Sequence, residues 1–117
     1  MPKPKKFFLA ADEIKPLATG RGGCIATDLI TVSGMPVRFM YRQAPDNQFD
    51  SGWRFMAGHE SETYMDDADN HAIYDVNTIA NYDPSIIPHL DAPAGSVFEK
   101  AELEAGFVAV KDWTPPD

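Results

Sequence analysis

The chain has 117 residues and a formal net charge of −8, with 44% hydrophobic and 24% charged residues. This length fits one domain rather than two, and the composition is that of a protein with a packed core, which excludes a disordered acidic tail. The lone Cys24 excludes an internal disulfide, and no apolar stretch approaches the roughly 20 residues that cross a bilayer. We therefore expect a cytoplasmic domain with no membrane partner and no cofactor.

The first 22 residues read as an N-terminal arm and connection. Residues 1–6 hold two prolines and three lysines and predict an unstructured start. The next residues, Phe7–Ala10, are compatible with a short strand, but their apolar run is too short for a signal peptide. Pro16 and Gly22 then punctuate a connection to the rest of the chain.

Strands are predicted from residue 23 onward. Gly23–Thr27 is a short apolar run. Leu29–Val32 and Val37–Arg42 flank Ser33-Gly34-Met35-Pro36, the pattern of a β-hairpin with glycine at its turn. Trp53–Ala57, which Gly58 ends, predicts a further strand that brings large aromatic side chains into the core.

Short helices and two closing strands are predicted in the second half. Glu60–Met65 has the composition of one or two helical turns. Asp75 is a suitable cap for a helix through Tyr82, and Asp83-Pro84 supplies a cap and a first-turn proline for a second helix. Ala94–Glu99 and Phe107–Lys111 predict strands separated by a polar turn at 102–106. The pattern predicts one α+β domain over residues 23–111, with a mostly antiparallel sheet, short helices packed on one side and a loose C-terminus at 112–117.

The middle of the chain is acidic. Between Phe55 and Phe98 there is no lysine or arginine, but there are eight carboxylates: Glu60, Glu62, Asp66, Asp67, Asp69, Asp75, Asp83 and Asp91. The remaining acidic residues are balanced by the 10 lysines and arginines, so the net charge of −8 comes from this stretch. A face that gathers these charges attracts basic proteins and repels nucleic acid.

The densest part of the acidic stretch predicts a surface that binds a protein. Carboxylates there would steer a basic partner, and an aromatic side chain would supply contact area. The residues that we predict to contact the partner are Glu60, Glu62, Tyr64, Asp66, Asp67 and Asp69. We expect a basic protein as partner and no nucleic acid.

Two other function classes stay open. A small hydrolase would need Ser51 as nucleophile, but the sequence supplies no positioned base. A metal-dependent enzyme would need His59, His71 or His89 to meet carboxylates in the fold, because their spacing forms no compact metal motif. The run from Asp66 to Asn70 lacks the glycine and glutamate of a calcium loop. A regulatory domain of another role is the third alternative.

An ordered set of segments carries a family resemblance. The segments are Gly23-Cys24-Ile25-Ala26-Thr27, Met40-Tyr41-Arg42, Asp50-Ser51-Gly52-Trp53-Arg54-Phe55, Gly58 and the run from Ile73 to Pro84. Together they resemble the immunity-protein-33-like family, from about Gly22 to about Val110. The resemblance implies a bacterial cytoplasmic protein that neutralises a cognate toxin of a polymorphic toxin system. It supplies no catalytic motif, so no catalytic residue is predicted.

Overall fold

Residues 6–100 and 106–111 are described by a computed structural model of the chain. The predicted unstructured start at residues 1–5, most of the predicted turn at 102–106 and the loose end at 112–117 lie outside this range. No helix within it is long and apolar enough to span a membrane.

Within the described residues, six strands form one mixed sheet in the order β4-β1-β3-β2-β5-β6. The strands are β1 (Gly23–Thr27), β2 (Phe39–Arg42), β3 (Asp50–Met56), β4 (His71–Asp75), β5 (Val97–Glu99) and β6 (Val108–Ala109). β1 pairs with β3 in parallel, and the other four pairings are antiparallel. The predicted α+β class with a mostly antiparallel sheet is confirmed.

The helices are short. In the part of the chain that the structure describes, they are α1 (Asp28–Thr31), α2 (Glu62–Asp66), α3 (Val76–Tyr82) and three 3₁₀ helices at Ala11–Glu13, Ala68–Asn70 and Pro84–His89. The Asp75 carboxylate accepts a hydrogen bond from Asn77 N–H at 2.8 Å, which makes it the N-cap of α3 as predicted. Asp83 likewise caps the Pro84–His89 helix, which has a proline in its first turn.

The core lies between one face of the sheet and the helices. Side chains alternate along β3, so Trp53 and Phe55 point into this core and Arg54 points to the opposite face. The Trp53 and Phe55 rings stack with centroids 6.0 Å apart, and Trp53 Nε1 donates to the Leu90 carbonyl at 3.2 Å. The helices fill this face with Ile30, Val76, Ile79, Ala80, Ile86 and Leu90. Burial of this apolar area is the main contribution to stability.

The N-terminal segment runs along α3 instead of forming the predicted strand at Phe7–Ala10. The N–H groups of Leu17 and Ala18 both donate to Asn77 Oδ1, at 2.7 and 2.8 Å. Lys15 N–H donates to Asn81 Oδ1 at 2.9 Å. Among the described residues the N-terminal segment has no strand partner, so side-chain amides of α3 accept hydrogen bonds from its backbone N–H groups.

The predicted hairpin arm at Leu29–Val32 is wrong, because this segment contains α1. β-branched residues disfavour helices, but Ile30 and Thr31 are both 0% exposed, and their packing against the core outweighs that local preference. Gly34 does lie at the turn, where its φ of 78° is in the left-handed region that favours glycine. Its N–H donates to the Ile30 carbonyl at 3.0 Å and so terminates the helix.

A buried ion pair joins Asp83, the cap of the Pro84–His89 helix, to Lys100, which directly follows β5. Lys100 Nζ lies 2.9 Å from Asp83 Oδ2, and the same oxygen accepts from Val37 N–H at 3.0 Å. Lys100 Nζ also lies 4.6 Å from the centroid of the Phe107 ring. Burial alone would raise the pKa of Asp83, but hydrogen bonds from Ser85 and Lys100 outweigh it and hold the pKa below its ordinary value.

Removing this carboxylate should destabilise the protein strongly. We expect Asp83→Ala to lower the free energy of unfolding by about 3 to 5 kcal/mol at pH 7, because the buried Lys100 ammonium loses its counter-ion. Urea unfolding followed by tryptophan fluorescence measures the change. The matched control, Asp66→Ala on the surface, should stay within about 0.5 kcal/mol of the wild type. Equal effects of the two substitutions would contradict a structural role for the pair.

Candidate functional site

The connection between β3 and β4 carries the predicted partner-binding residues. We call Glu60, Glu62, Asp66, Asp67 and Asp69 the acidic segment. Four of them are exposed and Glu60 is half-buried, while Tyr64 beside them is half-buried too. None of the salt bridges formed by the described residues involves the acidic segment. It therefore presents uncompensated negative charge to solvent.

Glu60 differs from its neighbours because it holds the start of the segment in place. Its carboxylate accepts from the N–H groups of Ala57 and Gly58 at 2.7 and 2.8 Å. The hydroxyl of Thr27, at the end of β1, donates to the same carboxylate. Glu60 is thus a structural residue that ties the segment to β1 and β3, and most of its hydrogen-bonding capacity is already used.

The far end of the segment is also anchored. The Ser61 hydroxyl caps α2 by accepting from Tyr64 N–H at 3.1 Å. The Asn70 side chain donates to the Tyr64 carbonyl at 2.9 Å, and His71 Nε2 lies 3.3 Å from the Met65 carbonyl. Burial raises the pKa of Tyr64, and the nearby Asp28 carboxylate adds to this effect. The exposed carboxylates therefore project from a connection fixed at both ends.

The rest of the acidic stretch does not join this surface. Asp83 is buried against Lys100, and Asp91 pairs with Arg21 at 2.6 Å. Asp75 is exposed but its carboxylate caps α3. Sequence proximity does not reveal the cations that pair with Asp83 and Asp91, because Lys100 and Arg21 lie 17 and 70 residues away along the chain. Within the acidic stretch, the exposed carboxylates that no described cation pairs with are thus those of Glu62, Asp66, Asp67, Asp69 and Asp75.

A second polar cluster lies on the face of the sheet opposite the helices. Arg54 is 6% exposed, and its two terminal nitrogens each lie 3.0 Å from an oxygen of Asp50. Its Nε donates to Gln43 Oε1 at 3.2 Å, and Asp50 also accepts from the N–H groups of Asp46 and Gly52 at 2.9 Å. The Arg54 hydrogen bond holds the pKa of Asp50 well below its usual range. This pair fixes the loop that precedes β3.

Apolar side chains lie beside this cluster on the same face. Phe49 is 74% exposed and Ile73 is 77% exposed, while Ile25, directly opposite Ile73 in the sheet, is half-buried. We call these three residues the apolar edge patch. They line a hollow of about 280 Å³ whose polar wall includes Asp46 and Asp50. Large apolar side chains held in the open next to carboxylates are typical of a contact surface for another molecule.

Ser51, His71 and His89, which the alternative enzyme hypotheses use, have other partners, and His59 is exposed. Ser51 is 5% exposed, and its hydroxyl accepts from Trp53 N–H at 3.1 Å. His89 packs against the ring of Phe98 with centroids 4.7 Å apart. Within residues 6–100 and 106–111, no group of three or more His, Cys, Asp or Glu residues is placed to hold a metal ion. Cys24 is 1% exposed, and burial raises the pKa of its thiol.

The comparison with protein families gives a match over most of the chain. The sequence model of the Immunity protein Imm33 domain matches residues 24–111. The chain belongs to this family. The resemblance noted in the sequence is thereby confirmed, and the membership favours a role other than catalysis. No match was found among curated proteins or among solved structures.

Sequence reasoning missed two features of this Imm33 domain. It did not predict β4, because the apolar Ile73 stands at an exposed position between Ala72 and Tyr74, so the sequence lacks the alternation of apolar and polar residues that identifies a strand. It also missed the apolar edge patch, because Phe49 comes from a loop and meets Ile73 only through the pairing of β1 with β3 and β4.

Measurements of folding stability can distinguish the structural role of Glu60 from that of the exposed Glu62. We expect Glu60→Ala to lower the free energy of unfolding by about 1 to 3 kcal/mol, because two backbone N–H groups and a hydroxyl lose their acceptor. Glu62→Ala, two residues away and exposed, should change it by less than about 0.5 kcal/mol. Urea unfolding measures both. A Glu60→Ala variant as stable as Glu62→Ala would show that the segment is not anchored at this residue.

The Arg54–Asp50 pair should make the fold sensitive to acid. Because the pKa of Asp50 is lowered in the folded state, its contribution is present above its unfolded pKa of about 3.9 and is lost as the pH falls further. The stability difference between wild type and Asp50→Asn should therefore be larger at pH 7 than at pH 2.5. Asp46→Asn, whose exposed carboxylate lies 3.7 Å from Arg54, is the matched control and should show a much smaller difference. Equal differences at the two pH values would contradict this role of Asp50.

Proposed function

We propose that this chain is an immunity protein that neutralises a toxin, its cognate partner, by binding it directly, and that the acidic segment is the part of its surface that attracts the toxin. Family membership supports the immunity role. The observation that carries the binding mode is the group of four exposed carboxylates, Glu62, Asp66, Asp67 and Asp69, with no cation paired to them among the described residues. The partner would be a basic protein.

Charge explains why such a surface suits an inhibitor. Grouped charges of one sign create a potential that reaches beyond contact distance and speeds the encounter with an oppositely charged protein. Speed matters for an immunity protein, because the toxin must be captured before it acts. The same attraction would also place the inhibitor over a basic active site of the toxin. Blocking that site requires no catalysis by the inhibitor.

Rigidity is the second argument. Glu60 fixes the start of the segment, and the Asn70 hydrogen bond to Tyr64 fixes its end. Carboxylates on an anchored connection lose less conformational freedom on binding than carboxylates on a mobile loop. Tyr64 lies among these carboxylates in the sequence and is half-buried. Its aromatic ring would add contact area to the attraction that the charges supply.

The proposal is tested by removing charge from the segment and measuring association with the cognate toxin domain, which is to be sought among the genes beside this one. The variant Glu62→Gln, Asp66→Asn, Asp69→Asn should associate about tenfold more slowly at low salt, and its association rate should depend less on salt concentration. Stopped-flow fluorescence gives the rates. Growth of cells that express the toxin should recover less with this variant than with the wild type.

A second triple variant serves as the control. Asp12→Asn, Glu13→Gln, Glu99→Gln makes the same change in net charge at exposed positions outside the segment. It should bind the toxin domain at nearly the wild-type rate. If both variants slow association equally, the effect is one of net charge and the segment has no special role. If the wild-type protein does not bind the toxin domain, the proposed function is wrong.

A further inference from the structure

β4 is the outermost strand of the sheet on the side of the acidic segment. It pairs with β1 on one side only, and no backbone hydrogen bond of the described residues reaches its other side. The opposite end of the sheet is β6, which has only 2 residues. An outer strand of 5 residues with an open side is a template for the addition of another strand.

The hydrogen-bond pattern identifies which groups of β4 face outward. Val76 N–H donates to the Gly22 carbonyl at 3.0 Å, and Gly23 N–H donates to the Phe49 carbonyl on the other side at 2.6 Å. Bonded pairs alternate along an antiparallel ladder, so Tyr74 exchanges hydrogen bonds with Cys24. Ile73 lies between two such bonded positions of β4. Its N–H and C=O therefore point away from β1 and toward solvent.

The side chain at the same position is also open to contact. Ile73 belongs to the apolar edge patch with Phe49 and Ile25. A second hollow, of about 540 Å³, lies next to the first and is also lined by Phe49 and Ile73, together with Asp75 and Arg21. The Arg21 guanidinium is paired with the Asp91 carboxylate. Alternate side chains of an added strand point to the same face, so one apolar residue of that strand can fill a hollow while its backbone pairs with Ile73.

Charge identifies the occupant. The acidic segment leads directly into the N-terminal end of β4, and exposed Asp75 lies at the other end. Pairing with a second copy would bring together two chains of net charge −8, each with this acidic flank, and is disfavoured by repulsion. A basic strand from another protein would instead be attracted, because lysine or arginine side chains at its ends would lie near these carboxylates.

We propose that the outer edge of β4 accepts an extended, basic segment of the toxin as a seventh strand of the sheet. The inference rests on the proposed function and states how the toxin is held once the acidic segment has attracted it. Backbone hydrogen bonds to Ile73 supply the pairing, and the apolar edge patch supplies selectivity for an apolar side chain.

Backbone amide hydrogen exchange, measured by NMR on the protein alone and bound to the toxin domain encoded beside the gene, tests the proposal. In the free protein the Ile73 amide should exchange fast, while the Tyr74 amide, which bonds to β1, should be protected and serves as the internal control. In the complex the Ile73 amide should become at least about tenfold more protected. A complex that forms without protecting Ile73 overturns the inference and leaves the proposed function standing.

Two substitutions give an independent test. Ile73→Pro removes the outward N–H and places a ring at the edge, but leaves the ladder with β1 intact. Ile73→Val keeps the N–H and a branched side chain and is the matched control. Binding to the toxin domain should weaken at least about tenfold for the proline variant and by less than about threefold for the valine variant. Equal binding by both variants overturns the inference.

The remaining outcomes are also decisive. Thermal unfolding shows whether Ile73→Pro is folded, and if it is not, the exchange experiment on the wild type decides. An Ile73 amide that is already protected in the free protein, together with a dimer in sedimentation equilibrium, would show that a second copy occupies the edge and would overturn the inference. Absence of any complex with the toxin domain would overturn it together with the proposed function.

Discussion

The position of β1 between β3 and β4 is the constraint on which the rest of the structure depends. β1 pairs in parallel with β3 on one side and antiparallel with β4 on the other. This arrangement places the helices over one face of the sheet, leaves Arg54 and the apolar edge patch on the other face, and makes β4 an outer strand. Both proposed contact surfaces are consequences of it, because the acidic segment is the connection that carries the chain from β3 to β4.

Charges in this protein serve two separate purposes. Two ion pairs are largely buried and structural. Asp83 with Lys100 joins distant segments, and Asp50 with Arg54 fixes a loop. Both carboxylates have lowered pKa values. The acidic segment has no such cation partners among the described residues, and four of its five carboxylates are exposed. A formal net charge of −8 is therefore a poor guide to the surface, since the composition counts structural and exposed carboxylates alike.

Much of the fold could be predicted from local patterns. The caps at Asp75 and Asp83 are local signals, and the structure has both. The segment 29–32 has the pattern of a hairpin arm before the Gly34 turn, and its helix is explained only by the burial of Ile30 and Thr31 in the core.

Less of the site was predictable. The acidic segment could be identified by its composition, but the structural role of Glu60 depends on its contact with Thr27, which no spacing reveals. The apolar edge patch depends on which strands are neighbours, and a single sequence does not specify the strand order.

A crystal structure of the complex with the toxin domain encoded beside the gene would test the central claim most directly. The account predicts a basic surface of the toxin over Glu62, Asp66 and Asp69, and an extended toxin segment hydrogen-bonded to Ile73 at the edge of β4. A toxin bound to the helical side of the molecule, with the acidic segment and β4 both open to solvent, would contradict it.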